Sequence, residues 1–268
     1  MLRILGVDND AVNQGWMCDK GRYNFEYLNS DSRLKTPLKM MENELVEIEI
    51  QDIYSELTEF IKDRQTKVNF LLGSNLTNED YVAFREFSKT ISQSESSFYL
   101  NDDLLYKGFF GDNIELAKID DLNSSDAIVV WAEDLKEKLP VLYLRIRQAV
   151  KNGVKLVVFG HTNETLSDIA DVFYGKDMVS ENFEILKDLS KMKEINNLVV
   201  GKNITAILGK STPYQADESI TKLFEFLNSN ANSKVLNAYS KGNTYGAFQT
   251  LENLKGLNDF VNDISKDN

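Results

Sequence analysis

The 268-residue chain contains one cysteine and one histidine. A single thiol excludes an internal disulfide framework and fits a reducing compartment, and one Cys with one His argues against a self-contained zinc site. Positive charge is also short: 30 Lys and Arg face 42 Asp and Glu, for a formal charge of −12. That balance argues against a nucleic-acid binder, which needs a basic stripe to neutralise phosphates. Nowhere does an apolar run approach the ~18 residues of a membrane span. The opening MLRILGVDND is too short and too quickly acidic for a secretory signal. These absences place the chain in the cytoplasm, and its 42% hydrophobic content suffices for a sizeable core.

What is present is organised around Ala127–Phe159. Ala127–Trp131 is a short, β-branched apolar run of the kind a strand buried on both faces needs. Glu133–Lys138 reads as charged and turn-like. Leu139, Leu142, Ile146 and Ala149/Val150 then repeat at helical spacing, with Pro140 opening the helix and Arg145, Arg147 and Lys151 expected in solvent. Asn152-Gly153 stops it, and Lys155–Phe159 is a second buried strand. Two such strands joined by an amphipathic helix make a right-handed βαβ crossover, so the core is a parallel sheet.

The remaining elements follow from the same patterns. Leu2–Val7 reads as a strand before a turn at Asp8-Asn9-Asp10, and Leu45–Ile50 as another strand. Ile50, Ile53, Tyr54, Leu57, Phe60 and Ile61 mark an amphipathic helix, followed by a buried strand at Lys67–Gly73. Thr77 with Asp80 approximates a capping box, opening a helix that packs through Tyr81, Phe84, Phe87 or Ser88, and Ile91. A strand, polar loop and helix start can form an anion site, but without Gly-rich spacing a routine βα turn is the better reading. Phe98–Leu100 is a short strand, and Asp102–Leu122 an ordered surface loop. Helices are expected at Leu166–Phe173, Asn182–Lys193, Ala216–Leu227 and Gly256–Ile264, and strands at Ile204–Gly209 and Lys234–Ala238. His161 has no partner Ser, Cys or Asp pattern and reads as a loop residue.

The run WMCDKGRYNFEYLNSDSRLKTPL, from Trp16 to Leu38, resembles the end of the iron–sulfur segment that heads molybdopterin oxidoreductases. Within that superfamily it is most similar to the large iron–sulfur subunits of bacterial NADH–quinone oxidoreductase, respiratory complex I. Cys18-Asp19-Lys20-Gly21-Arg22 matches the setting of the family's fourth cluster cysteine, and Arg33–Leu38 its R-L-x-x-P-L signature. Leu76–Tyr81 resembles the family's S-x-x-x-T-N-E-E-x-Y turn, Ile119–Phe159 its P-V-L and R-I-R crossover, and Ser240–Ala247 its S-x-x-N-x-x-G-A loop.

The resemblance implies an α/β fold, a mostly parallel Rossmann-like sheet flanked by helices, with residues 1–45 a small irregular remnant of the iron–sulfur segment. Residues 46–268 would then be a molybdopterin-oxidoreductase-like domain, incomplete at its C-terminus. Cys18 would be a lone metal ligand, since a [4Fe–4S] cluster needs four thiolates; the others would come from another polypeptide or a longer gene product. Lys20, Gly21, Thr77, Asn78, Thr165 and Asn243 would mark vestigial pterin-dinucleotide loops. Where molybdenum enzymes carry a D-P-R-x-T turn, this chain has Gly160-His161-Thr162-Asn163-Glu164-Thr165, which argues against tight molybdopterin binding. The implied role is structural, within a peripheral arm that carries electrons from NADH through iron–sulfur clusters to quinone, beside other complex I subunits on the cytoplasmic side of the membrane. A catalytic molybdenum or tungsten oxidoreductase, such as a formate dehydrogenase or nitrate reductase, and a stand-alone ligand-binding module are the alternatives.

Overall fold

The computed structural model describes residues 3–63, 68–91, 96–101, 115–132, 134–175, 189–209, 225, 232–239 and 241–266. In chain order its helices are α1 (Asp19–Tyr23), α2 (Ile50–Asp63), α3 (Asn78–Ile91), α4 (Leu135–Lys138), α5 (Pro140–Lys151), α6 (Leu189–Val199), α7 (Thr244–Thr250) and α8 (Leu257–Lys266). The strands are β1 (Leu38–Met41), β2 (Glu44–Glu47), β3 (Asn69–Leu72), β4 (Ser97–Leu100), β5 (Ala127–Trp131), β6 (Lys155–Phe159), β7 (Val172–Tyr174), β8 (Asn203–Gly209) and β9 (Asn232–Ala238). They fall into two compact units, one of residues 1–3, 23–104 and 241–268, the other of residues 4–22 and 105–240.

The larger unit holds a five-stranded sheet in the order β7-β6-β5-β8-β9, every pairing parallel. Ala127 aligns with Lys155 on one side and Ile204 on the other, so β5 is central. All five of its residues are buried. Alternate side chains serve opposite faces. Val129, Trp131, Val157 and Phe159 pack with Ile195 and Val199 of α6, while Ile128, Val130, Leu156 and Val158 pack with Leu142, Ile146 and Ala149 of α5. Each face is thus covered by a helix, which is why these strands read as unbroken apolar runs. Gly153, at φ +103°, takes the left-handed conformation that ends α5.

In the smaller unit β3 and β4 pair in parallel, and β1 and β2 form a hairpin. The hairpin turns through Glu42 and Asn43, both at positive φ (49° and 71°) as a tight primed turn requires. Leu72, Tyr81, Phe98, Leu100, Ala247 and Leu251 make the core. The predicted capping box is present: the Thr77 amide donates to Asp80 Oδ2 at 2.9 Å, and the Asp80 amide to Thr77 Oγ1 at 3.2 Å. On α3 it is Ser88 that is buried, whereas Phe87 is 47% exposed. Tyr99 OH and Lys255 Nζ both donate to Asp263 Oδ2 at 2.8 Å, fixing α8 against β4. Burial, and then its bond to Asp263, raises the Tyr99 pKa.

Several expectations are corrected. Arg3–Val7 forms no strand: Leu5 and Val7 are exposed, and the Ile4 amide reaches only the Arg22 carbonyl. Of the stretch expected as a turn, Asp134–Lys138 is more than that, since Asp134 caps the one-turn helix α4 by accepting from the Lys136 amide at 2.9 Å. The stretch expected as a helix from Leu166 to Phe173 is a short 3-10 turn ending at Leu166 followed by the edge strand β7. Arg145 is not solvated but 2% exposed. Its Nη2 donates to Asp120 Oδ1 at 2.8 Å and its Nη1 to the Asp10 carbonyl at 3.1 Å. The helix expected at Asn182–Lys193 is seen as α6 over its described part, and 182–188, 216–224 and 102–114 lie outside the described residues.

Candidate functional site

Parallel α/β sheets place ligands beyond the carboxyl ends of their strands, at the point where strand order reverses. Here the chain winds from β5 outward to β6 and β7, then returns beside β5 as β8 and continues to β9. The reversal falls between β5 and β8, so Ala132, the turn after β6 and Gly209 stand at the expected site. A side chain on Gly209 would meet the Cβ atoms of Ala132 at 2.8 Å and Ala238 at 3.0 Å. The strand ends there pack closely enough to exclude even a methyl group.

The turn after β6 carries one buried polar side chain among its described residues, Asn163, at 0% exposure. Its Oδ1 accepts from the Leu135 amide at 3.0 Å, and its Nδ2 donates to the Ala132 carbonyl at 2.8 Å. This carboxamide satisfies both the loop after β5 and the start of α4, giving one N–H and one lone pair to the protein's own backbone. Gly160, at φ +85°, begins the turn. Thr165 is exposed, and its carbonyl accepts from Tyr143 OH at 3.2 Å. Nearby, Arg147 grips Asp168 through two bonds of 3.2 and 3.1 Å, and these bonds hold the Asp168 carboxyl below the usual range.

A second set of loops lies in the smaller unit, where the structure brings Thr77, Asn78 and Asn243 together. Asn243 caps α7: its Oδ1 accepts from the Gly246 amide at 3.2 Å, and its Nδ2 donates to the Leu76 carbonyl at 2.8 Å and Asn78 Oδ1 at 3.0 Å. The Asn243 amide reaches the Ser74 carbonyl at 2.8 Å, and Asn75 Oδ1 accepts from the Gly242 amide at 2.8 Å. Ser74 Oγ is buried with no hydrogen-bond partner. Gly246 is required sterically, since a Cβ there would collide with the Asn78 and Asn243 carboxamides. An alanine inside a helix ordinarily stabilises relative to glycine. Gly246→Ala is expected to do the reverse, costing about 2 kcal/mol by overpacking, measured as faster hydrogen exchange of the α3 and α7 amides.

Cys18 precedes α1 in the larger unit, half-buried and free. Its Sγ accepts from the Gly21 amide at 3.4 Å, so Cys18 and Gly21 are in contact while Lys20 is exposed on the same short helix. The candidate residues therefore fall into three places: Cys18, Lys20 and Gly21 around α1, Thr165 after β6, and Thr77, Asn78 and Asn243 in the smaller unit. Sequence reasoning assigned no role to Ser74, Asn75, Asn163 or Gly246.

The sequence model of molybdopterin oxidoreductases matches residues 33–257. The chain belongs to the molybdopterin oxidoreductase family. Among similar members is the F420-dependent formate dehydrogenase 1 subunit alpha of Methanococcus maripaludis, 27% identical over 70% of this chain and 29% of its own length. NADH-quinone oxidoreductase subunit 3 of Thermus thermophilus is 30% identical over 57% of this chain and 19% of its own. An NADH-quinone oxidoreductase subunit of Buchnera aphidicola is 27% identical over 57% of this chain and 17% of its own. The matched region thus spans less than a third of each of these relatives.

The molybdopterin family implies a phosphate-bearing pterin, and the described residues of the turn after β6 do not fit one. Asn163 gives one N–H and one lone pair to the protein's own backbone, Glu164 is negative, and Arg147, whose Nη1 reaches the Thr165 carbonyl at 3.5 Å, is paired with Asp168. In the smaller unit the carboxamides bond one another and leave Ser74 Oγ as the buried group without a partner. A four-thiolate cluster does not fit this chain's own residues either, because Cys18 is its single cysteine.

Proposed function

We propose that this chain serves as an electron-transfer scaffold of the NADH–quinone oxidoreductase type, similar to the large iron–sulfur subunit of that complex and not itself catalytic. In this reading it forms part of a peripheral arm that moves electrons from NADH through iron–sulfur clusters to quinone. Other subunits hold it on the cytoplasmic face of the membrane. Among the described residues no helix is long and apolar enough to cross a membrane. Cys18 ligates a [4Fe–4S] cluster only with thiolates from elsewhere, and molybdopterin is not bound. Lys20, Gly21, Thr77, Asn78, Thr165 and Asn243 are then retained as turn and cap residues rather than as cofactor contacts.

The observation that carries this reading is the turn after β6, where Asn163 closes on the protein's own backbone and the cation that reaches the turn, Arg147, is paired with Asp168. The similarity to the NADH-quinone oxidoreductase subunits of Thermus and Buchnera supports it. One observation favours a catalytic molybdenum or tungsten reading instead: the formate dehydrogenase subunit aligns over more of this chain, 70% against 57%. Iron, sulfide, molybdenum and tungsten analysis of the protein purified with its native partners separates the two. Iron and sulfide without molybdenum or tungsten is the expected result. Stoichiometric molybdenum or tungsten overturns the scaffold reading in favour of a catalytic oxidoreductase.

A further inference from the structure

Away from the strand ends, the outer side of α5 and the Gln14–Trp16 segment enclose a cleft of about 610 Å³. Both belong to the larger unit. That volume lies within the range of small-molecule sites, which pair apolar walls with a few placed polar groups. Val141, Leu144 and Trp16 supply apolar wall. Trp16 is 58% and Leu144 42% exposed, large surface for side chains with no structural need to face water. Arg145, Arg147 and Lys151 add three cationic side chains from the same helix, in a chain whose net charge is −12.

Arg145 makes this more than an open groove. It lines the cleft at 2% exposure, two of its nitrogens are held by Asp10 and Asp120, and its Nε has no partner in the protein. A buried guanidinium N–H without an acceptor is costly, and an ionised acceptor makes the stronger bond. Arg147 is committed to Asp168, whereas Lys151 is exposed at the end of α5. The site therefore offers one buried guanidinium behind its wall, one exposed cation and an indole beside an aliphatic surface.

We propose that this cleft binds a small organic carboxylate with a flat apolar body. The carboxylate pairs with the exposed Lys151 ammonium, in the field of the buried Arg145 guanidinium, and the body lies between Trp16 and Leu144. The site does not depend on the scaffold reading.

The test uses the full chain and 2-naphthoate as the probe, followed by tryptophan fluorescence and by calorimetry. Of the two tryptophans, Trp131 is 1% exposed, so a saturable change reports Trp16. Expected are one-to-one binding, at least tenfold weaker binding to Leu144→Glu and to Lys151→Glu, and at least tenfold weaker binding of neutral 2-naphthamide. Both substituted residues are exposed, and an unchanged far-UV spectrum verifies each fold. If one variant fails to fold, the other and the amide comparison decide. No saturable binding of 2-naphthoate, equal affinity in both folded variants, or equal affinity for the amide overturns the proposal.

Discussion

Replacing Asn163 by alanine is expected to destabilise the parallel-sheet unit by about 3 kcal/mol, because two backbone groups each lose a buried bond at once. The Leu135 amide and the Ala132 carbonyl both end on this carboxamide, which is fully buried. Both tryptophans, Trp16 and Trp131, belong to this unit, so denaturant unfolding followed by tryptophan emission reports it without contribution from the smaller one. Asn163→Asp is the sharper variant. It keeps an acceptor for Leu135 but sets a second oxygen against the Ala132 carbonyl. Burial and that repulsion raise the new carboxyl's pKa. Its neutral form then donates where Nδ2 did, so the variant is most stable below the unfolded carboxylate value and loses stability as pH rises through the folded one. A stability change below about 0.5 kcal/mol for Asn163→Ala, the ordinary size for a surface substitution, would show that the turn after β6 is not held by this residue. The same result would remove the observation on which the scaffold reading rests.

The parallel sheet was legible because its strands are buried on both faces and therefore carry uninterrupted β-branched runs, as in Ala127–Trp131 and Lys155–Phe159. Local chemistry was legible as well: Thr77 and Asp80 form the box their spacing announces, and Gly153 ends α5. What failed were elements whose fate is set by partners distant in sequence. Leu2–Val7 has strand composition, but Arg3–Val7 finds no strand to pair with. Val172–Tyr174 looked like the end of a helix because Leu166, Ile169, Ala170 and Phe173 have helical spacing, yet it pairs with β6 as an edge strand. Asn163 was invisible for the same reason, and Gly246 was visible only as a motif glycine with no physical reason attached. An asparagine in a turn and a glycine in a loop are ordinary until Ala132 and Leu135, or Asn78 and Asn243, are brought against them. Arg145 is different, because the signal was present: Leu142, Arg145, Ile146 and Ala149 are the buried residues of α5 and share one face at i, i+3, i+4 and i+7. Its charge masked its position.

That position makes Arg145→Ala the second large effect, expected at about 3 kcal/mol, below the upper values for a buried pair losing one member. Asp120 is 59% exposed and can be hydrated again when the guanidinium is gone, so the loss stays below the cost of stranding a buried carboxylate. What is lost is packing of the aliphatic stem against α5's neighbours and two bonds, one of them ionic, that join three separate stretches: α5, the Ile119–Asn123 turn and the Asp10 carbonyl. Methionine at 145 restores much of the stem's apolar contact without the charge, so it should recover part of the loss; lysine lacks the planar fork whose two separate nitrogens reach the Asp10 carbonyl and Asp120. A double-mutant cycle with Asp120→Ala isolates the ionic share, expected at about 1–2 kcal/mol for a pair with one desolvated member and short of the larger values for fully buried pairs. The control lies two residues along the helix. Arg147 and Asp168 are 35% and 61% exposed and make a better-formed two-bond pair, yet solvent screening should hold their coupling to about 0.5 kcal/mol or less. If the two cycles return equal couplings, burial is not what distinguishes these arginines, and the anchoring of residues 4–22 to α5 through Arg145 has to be abandoned.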